Sequence, residues 1–412
     1  MPGAERATGA RDRRSARPLR RPHAGGRQRV TNIELFFDLV YVFAVTQLSH
    51  HLLGDLRVTG ALQTALLLAM VWLLWAYTTW VTNWLDPERI PVRLLLLALM
   101  LVALVISAAL PTAFGASGLI IGCAYAGMQI GRSGFAVWAL RADPLGRNFQ
   151  RILSWCLLSG ALAIAGGLAP AVAPRAGLWL AAVGVDVAGG LAGFYTPGLG
   201  RTATTEWDIE GGHFAERCQA FVLIALGESI VVTGATFSGL LTGPLARPHA
   251  GHAATIAAFV VAFVSSVALW WVYFDRTAEE GARRIAEAAD PGRLGRSAYH
   301  LIHPVMVAGI IVAAAADEVV LSQPAGTASG SAGWLILGGA GLFIAGHLAF
   351  KRAVWQHLSW ARVAALVILA LLGLVAPHVT ALELSSCAAA VVVGVGIADY
   401  LGRSANAANA AG

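Results

Sequence analysis

Charge is scarce in this 412-residue chain: Asp, Glu, Lys and Arg together make up 13% of it, against about 25% in an ordinary soluble protein. An ordinary soluble domain is thereby excluded. Cysteine is scarce too. Cys123, Cys156, Cys218 and Cys387 all fall in apolar stretches without Cys-x-x-Cys or Cys/His spacing, so neither a disulfide framework nor a zinc site is indicated. The chain also has no nucleotide-binding loop, dinucleotide-type glycine motif, serine nucleophile elbow or haem-type histidine pairing. ATP-driven pumping and the common enzyme classes therefore have no support, and no cofactor or metal is expected.

What the chain has in abundance is apolar surface. Hydrophobic residues make up 57% of it, and they gather in runs of Leu, Ala, Val, Ile and Trp long enough to cross a bilayer. A span needs about 20 such residues at ~1.5 Å rise each. On that template twelve helices are predicted, over 33–53, 61–84, 91–111, 117–140, 152–170, 177–196, 213–239, 254–275, 298–320, 333–350, 360–377 and 381–401. The runs are continuous and do not alternate, which excludes a transmembrane barrel. The expected fold class is an all-α integral membrane protein.

The formal charge of +6 does not point to nucleic acid, because the basic residues follow topology. With the N-terminus inside, 24 of the 29 Lys and Arg fall in cytoplasmic segments, and three (Arg57, Arg175, Arg247) fall in outer loops. Positive charge is retained on the cytoplasmic side, so both termini are expected in the cytoplasm and the number of spans is expected to be even. The Arg-rich segment 1–30 reads as a disordered cytoplasmic tail that can touch anionic lipid, and 402–412 as a second tail. Thirteen Trp are present; most lie near span ends, where aromatic rings anchor at headgroups.

A weak internal repeat runs through the chain. Glu34 with Thr46 on the first span is matched by Glu216 with Glu228 on the seventh. Trp72/Trp75/Tyr77 are matched by Trp270/Trp271/Tyr273, and 126–132 by 345–351. The expected organisation is two parallel six-helix halves, 31–196 and 213–401, joined by a cytoplasmic loop, 197–212.

Two segments carry more than composition: Thr-Asn-Ile-Glu-Leu-Phe-Phe-Asp-Leu-Val-Tyr-Val-Phe-Ala-Val-Thr-Gln-Leu-Ser (31–49) and Glu-Trp-Asp-Ile-Glu-Gly-Gly-His-Phe-Ala-Glu-Arg-Cys-Gln-Ala-Phe-Val-Leu-Ile-Ala-Leu-Gly-Glu-Ser-Ile-Val (206–231). Together they resemble the signature segments of the bacterial low temperature requirement protein A (LtrA) family, and the resemblance runs from residue 30 to about 400. It implies a polytopic protein of the bacterial cytoplasmic membrane. The family is named for a growth phenotype in the cold and has no settled biochemical activity.

Within the spans each charge calls for a partner, a wet cavity or a proton, since burial at the bilayer centre costs at least ~2.5–3.5 kcal/mol. Arg132, Asp186 and Glu228 lie deepest. Arg132 and Asp186 sit at comparable depth on neighbouring spans, where an ion pair is possible. Glu34 and Asp38, four residues apart, share a helical face. They can attract a cation or share a proton at the cytoplasmic entrance, or they cap the helix and pair with Arg27 or Arg29. Arg217 and Glu228 share a face but stand ~16 Å apart along the axis, too far to pair. Glu228 is followed by Ser229 and flanked by Gly227 and Gly234. It reads as a proton- or cation-coupling group, as the structural partner of Arg132, or as a permanently protonated hydrogen-bond donor.

Glu206, Asp208, Glu210, His213 and Glu216 form an acidic segment whose spacing matches no standard metal motif; a latch involving Arg217 is the better reading. His300 and His303 read as capping or interfacial residues. The expected pathway residues are thus Glu34, Asp38, Thr46, Arg132, Asp186, His213, Glu216, Arg217, Glu228 and Ser229. The leading expectation is a secondary transporter or channel-like permease for protons or a small ion or solute. An intramembrane enzyme acting on a lipid-linked substrate and a non-catalytic membrane organiser are the alternatives. The lipid bilayer is the expected partner.

Overall fold

The computed structural model describes residues 19–21, 30–202, 211–242, 252–275, 277–288 and 291–411. Among the described residues there is no strand, and the regular structure is helical. In chain order the helices are α1 (Asn32–Gly54), α2 (Val58–Trp84), α3 (Ile90–Ala109), α4 (Gly118–Ala139), α5 (Leu145–Leu168), α6 (Val172–Leu191) and α7 (Gly211–Thr242). They continue with α8 (His252–Phe274), α9 (Thr277–Ala286), α10 (Pro291–Gly295), α11 (His303–Ser322), α12 (Ser331–Trp355), α13 (Trp360–Val375) and α14 (Ala381–Ala411). A π-helical stretch, Arg296–Ile302, leads into α11.

Each of the twelve expected spans is represented by a long helix, but among the described residues eleven are both long and apolar enough to cross a membrane. The one that falls short is α4, whose 22 residues include Gln129, Arg132 and Ser133. All three of these side chains are buried. Its polar face is therefore turned into protein, and average hydropathy is a poor guide to a helix that shows lipid little of its surface. The α5 helix begins earlier than the apolar run, at Leu145, where the Asp143 carboxylate accepts the free Leu145 N–H at 3.0 Å. The last helix runs on to Ala411.

Outward faces are apolar, as a hydrocarbon solvent requires. Leu94, Leu97, Leu101 and Leu104 stand exposed along α3, and Val367, Ile368, Leu371 and Leu374 along α13. In water such stripes would be unfavourable by the usual ~25 cal/mol per Å²; in a bilayer they are the solvated surface.

The chain forms two compact units. Unit 1 comprises Met1–Ala44, Ala69–Arg217 and Ala289–Arg293; unit 2 comprises Val45–Leu68, Cys218–Ala288 and Leu294–Gly412. In unit 1, residues 19–21 lie against the end of α2, with Arg21 N–H donating to the Trp84 carbonyl at 2.8 Å. This part of the basic segment expected to be disordered is therefore ordered, while 1–18 and 22–29 lie outside the described residues. On the opposite side, Arg175 at the start of α6 donates to the carbonyls of Ala113, Gly115, Gly166 and Ala169. It thus satisfies acceptors that the end of α5 would otherwise leave bare.

Unit 2 is held by backbone-to-backbone packing of α11 on α12. A Cβ on Gly309 would meet the Phe343 nitrogen at 2.5 Å, and one on Gly339 would meet the Ala313 nitrogen at 2.7 Å. Small residues let membrane helices approach this closely, where dispersion replaces the hydrophobic drive that lipid does not supply. Gly341, on the same helix, has nothing within 4 Å of such a Cβ. Gly339→Ala is expected to lower stability by about 1–3 kcal/mol through overpacking. Gly341→Ala is expected to be neutral or stabilising by up to about 1 kcal/mol. Thermal melts of the two purified variants compare these outcomes directly.

Candidate functional site

The α1 helix begins with the Glu34 side chain reaching back to cap its first turn. Thr31 donates from its N–H (2.9 Å) and its hydroxyl (2.8 Å) to one oxygen of Glu34. This satisfies an orphan donor at the helix start and leaves the other carboxylate oxygen pointing away. One turn on, Asp38 lies on the same face. Both carboxylates are fully buried.

On α7, His213 and Arg217 repeat the same four-residue spacing with basic side chains, and both are fully buried. The two stripes meet inside unit 1. The guanidinium of Arg217 grips Asp38 with Nε–H at 2.8 Å and Nη2–H at 2.5 Å. Its Nη1 reaches Glu34 at 3.3 Å. His213 Nε2 lies 2.9 Å from the same Glu34 oxygen and 3.1 Å from Arg21 Nη1. Arg21 approaches Glu34 at 3.6 Å and donates to the Thr82 carbonyl at 3.0 Å. The indole N–H of Trp75 donates to Asp38 at 2.7 Å. Two carboxylates therefore face two guanidiniums, and the cluster is close to electroneutral. Phe37 and Trp75 each present a ring 5.9 Å from the Arg217 guanidinium carbon, which adds cation–π attraction and keeps water out.

Paired charge-assisted hydrogen bonds of this fork-on-carboxylate kind are the strong ones. They make burial tolerable; they do not make it free. The partner expected from Arg27 or Arg29 lies outside the described residues. The place a cation would take beside Glu34 and Asp38 is filled by Arg217.

A second polar network crosses unit 1. Asp186 on α6 accepts hydrogen bonds from the Tyr125 hydroxyl and from Gln129 Nε2 at 2.6 Å. The Gln129 side-chain oxygen accepts from Arg132. Arg132 also donates to the Leu74 carbonyl at 3.2 Å and to Thr78 at 3.3 Å, and it lies over the Tyr77 ring. Among the described residues no direct ion pair joins Arg132 to Asp186; Gln129 bridges them, its amide matching an acceptor to one and a donor to the other.

The remaining expected residues fall elsewhere. Glu228, on the part of α7 that belongs to unit 2, is 7% exposed. Among the described residues its carboxylate makes no ion pair and no hydrogen bond. Ser229 approaches Ser266 at 3.5 Å. Thr46 in unit 2 and Glu216 in unit 1 are half-buried. Glu206, Asp208 and Glu210 lie outside the described residues, and no metal-binding group of three His, Cys, Asp or Glu occurs among those described.

Unit 2 has its own buried chain of polar groups, which sequence reasoning passed over. Asp399 is gripped by Arg362 at 3.0 and 2.6 Å and approached by Lys351 at 3.6 Å. Arg362 Nε–H donates to His347 Nδ1 at 3.1 Å. His303 is fully buried, with Nε2 2.7 Å from the Tyr273 hydroxyl, and so is neither a cap nor an interfacial residue. The repeat of buried basic residues near the ends of successive spans was the available signal.

A family model described as bacterial low temperature requirement A protein (LtrA) matches residues 29–397 of the chain. The chain is also 34% identical over 371 residues to an uncharacterized protein, RA0937, of Rhizobium meliloti (strain 1021), an alignment covering 89% of this chain and 88% of the relative. No solved structure matches.

Removing Arg217 strands two buried carboxylates, so Arg217→Ala is expected to cost about 3–5 kcal/mol. Arg217→Lys keeps the charge but loses the fork and should fall between Arg217→Ala and the parent. Melting temperatures in a single detergent rank the three; equal melting of Arg217→Ala and the parent would contradict the cluster.

Proposed function

The chain belongs to the bacterial low temperature requirement A (LtrA) family, and from that premise we propose that it is a proton- or cation-coupled secondary transporter or channel-like permease of the bacterial cytoplasmic membrane. The observation that carries the reading is Glu228: a carboxylate midway along a 32-residue helix, shielded from solvent, without an ion pair or hydrogen bond among the described residues. An ionisable group at that depth is retained when a proton or ion visits it. The contrast with Glu34 and Asp38 supports this. Those two are neutralised and act as a latch that joins α1 to the start of α7. Opening the Arg217 fork is then the step that admits solute from the cytoplasmic side, and Arg132 with Asp186 and Gln129 holds the neighbouring helices in register.

In this reading α4 crosses the membrane as well, with its polar face inward, which restores an even number of spans and places both termini in the cytoplasm. The two parallel halves belong to the same proposal. Tyr77 and Tyr273, matched in the sequence repeat, each use a buried hydroxyl to tie helices together, Tyr77 to the Asp186 carbonyl at 3.0 Å and Tyr273 to His303.

Vesicles reconstituted with the protein and loaded with a pH-sensitive dye test the coupling. The parent is expected to conduct protons or exchange them against a cation, and Glu228→Gln to lose that flux at least tenfold while eluting as a folded species. Undiminished flux in Glu228→Gln would remove the residue from the mechanism. Reporter fusions test the topology: a cytoplasm-active reporter is expected to function at either end, and a periplasm-active one at neither.

A further inference from the structure

Unit 2 contains a second buried carboxylate, set in a cavity of its own. Asp317 lies on α11, five residues before the helix ends, and is 6% exposed. Among the described residues it has neither an ion pair nor a hydrogen bond. It borders a cavity of ≈ 20 Å³, enough for a water molecule. The cause of the cavity is local. Ala313 and Ala316 on α11, Ala340 on α12 and Ala388 on α14 are too short to fill the space beside the carboxylate. The close contact of Gly339 with Ala313 holds α11 and α12 at a fixed separation there. The two hydroxyls that reach the same space are Ser265 of α8 and Ser385 of α14. A polar cavity with two to four hydrogen-bonding groups holds water; an apolar one of this size stays dry.

We propose that Asp317, with Ser265 and Ser385, forms a proton-binding site in which the carboxyl group exchanges its proton through a water held in this cavity. Three observations converge on it. Among the described residues the carboxylate has no counter-charge: α8 contributes Ser265 and Leu269 to the lining, α12 Ile336 and Ala340, and α14 Ser385 and Ala388, none of them titratable. On its own helix the adjacent acid, Glu318, is turned ~100° away. His303 lies fourteen residues earlier, about 21 Å along the axis. A bare metal cation would need more oxygen ligands than one carboxylate and two hydroxyls supply, whereas a proton needs one oxygen and a path. The serines supply donor and acceptor groups able to orient a single water against the carboxyl group. The site stands on the geometry of unit 2 alone and does not depend on Glu228 or on the transport reading.

Infrared difference spectroscopy of the purified full-length protein in lipid nanodiscs, titrated with pH and requiring no flux, tests the site. The expected result is a protonated-carboxyl C=O band that fades reversibly as pH rises, shifts when aspartate is isotopically labelled, and is absent in Asp317→Asn. Asp317→Glu, which keeps the acid, should move the band rather than remove it, so the site remains testable if the Asn variant misfolds. Ser265→Ala/Ser385→Ala should shift the band to higher frequency by removing its hydrogen-bonding environment. A titrating band unchanged in Asp317→Asn would overturn the proposal, as would an Asp317 band that neither fades with pH nor exchanges in heavy water. Titrations in Na⁺ and in choline should superimpose; a band that Na⁺ removes at fixed pH would replace the proton with a metal cation and overturn the assignment.

Discussion

The grip of Arg217 on Asp38 and Glu34 is the interaction on which the first unit depends. Two acids at the start of α1 and two bases at the start of α7 are each spaced by four residues, so each helix presents its pair on one face. A spacing of two or five residues on either helix would have turned one member of its pair off the shared face and left a buried charge unanswered. The aromatic residues Phe37 and Trp75 shield the fork, and the indole N–H of Trp75 completes the hydrogen bonding of Asp38. A buried charged cluster whose carboxylates are answered by guanidiniums does little for net stability compared with an apolar core, but it punishes every misaligned packing of α1. Its contribution is specificity of arrangement.

The same logic separates the acids by their surroundings. Glu34, Asp38, Asp186 and Asp399 each face a guanidinium or an amide that answers their charge. Glu228 and Asp317 do not have such a partner among the described residues. Burying a carboxylate is costly unless hydrogen bonds or opposite charge answer it, and the two groups differ in how far that is done. The acids therefore divide by their partners rather than by their depth.

Much of this was legible in the sequence. Runs of about 20 apolar residues gave the helices because the bilayer leaves a backbone no other way to satisfy itself than helix or closed barrel. The residues of the buried cluster were also visible, since Glu34, Asp38, His213 and Arg217 stand out as charges near span ends. Their pairing was not, because it joins residues 179 positions apart, and periodicity within one helix carries no information on which face meets which. The matching four-residue spacings were the clue. Gln129 escaped notice because an uncharged amide looks unremarkable in composition, yet it is the bridge between Arg132 and Asp186. Asp317 lies near the end of its helix and belongs to no motif. What makes it stand out is a void left by alanines on three helices, a property of packing that no single segment encodes.

A double-mutant cycle on Asp38→Asn and Arg217→Gln, read as unfolding free energy in a bilayer mimetic, measures the central interaction most directly. The account requires a favourable coupling of more than about 1 kcal/mol between the two side chains, with the double variant more stable than the sum of the single losses implies. Strictly additive losses, with no coupling, would show that the fork is not formed in the native protein and would leave the buried carboxylates of α1 without an explanation.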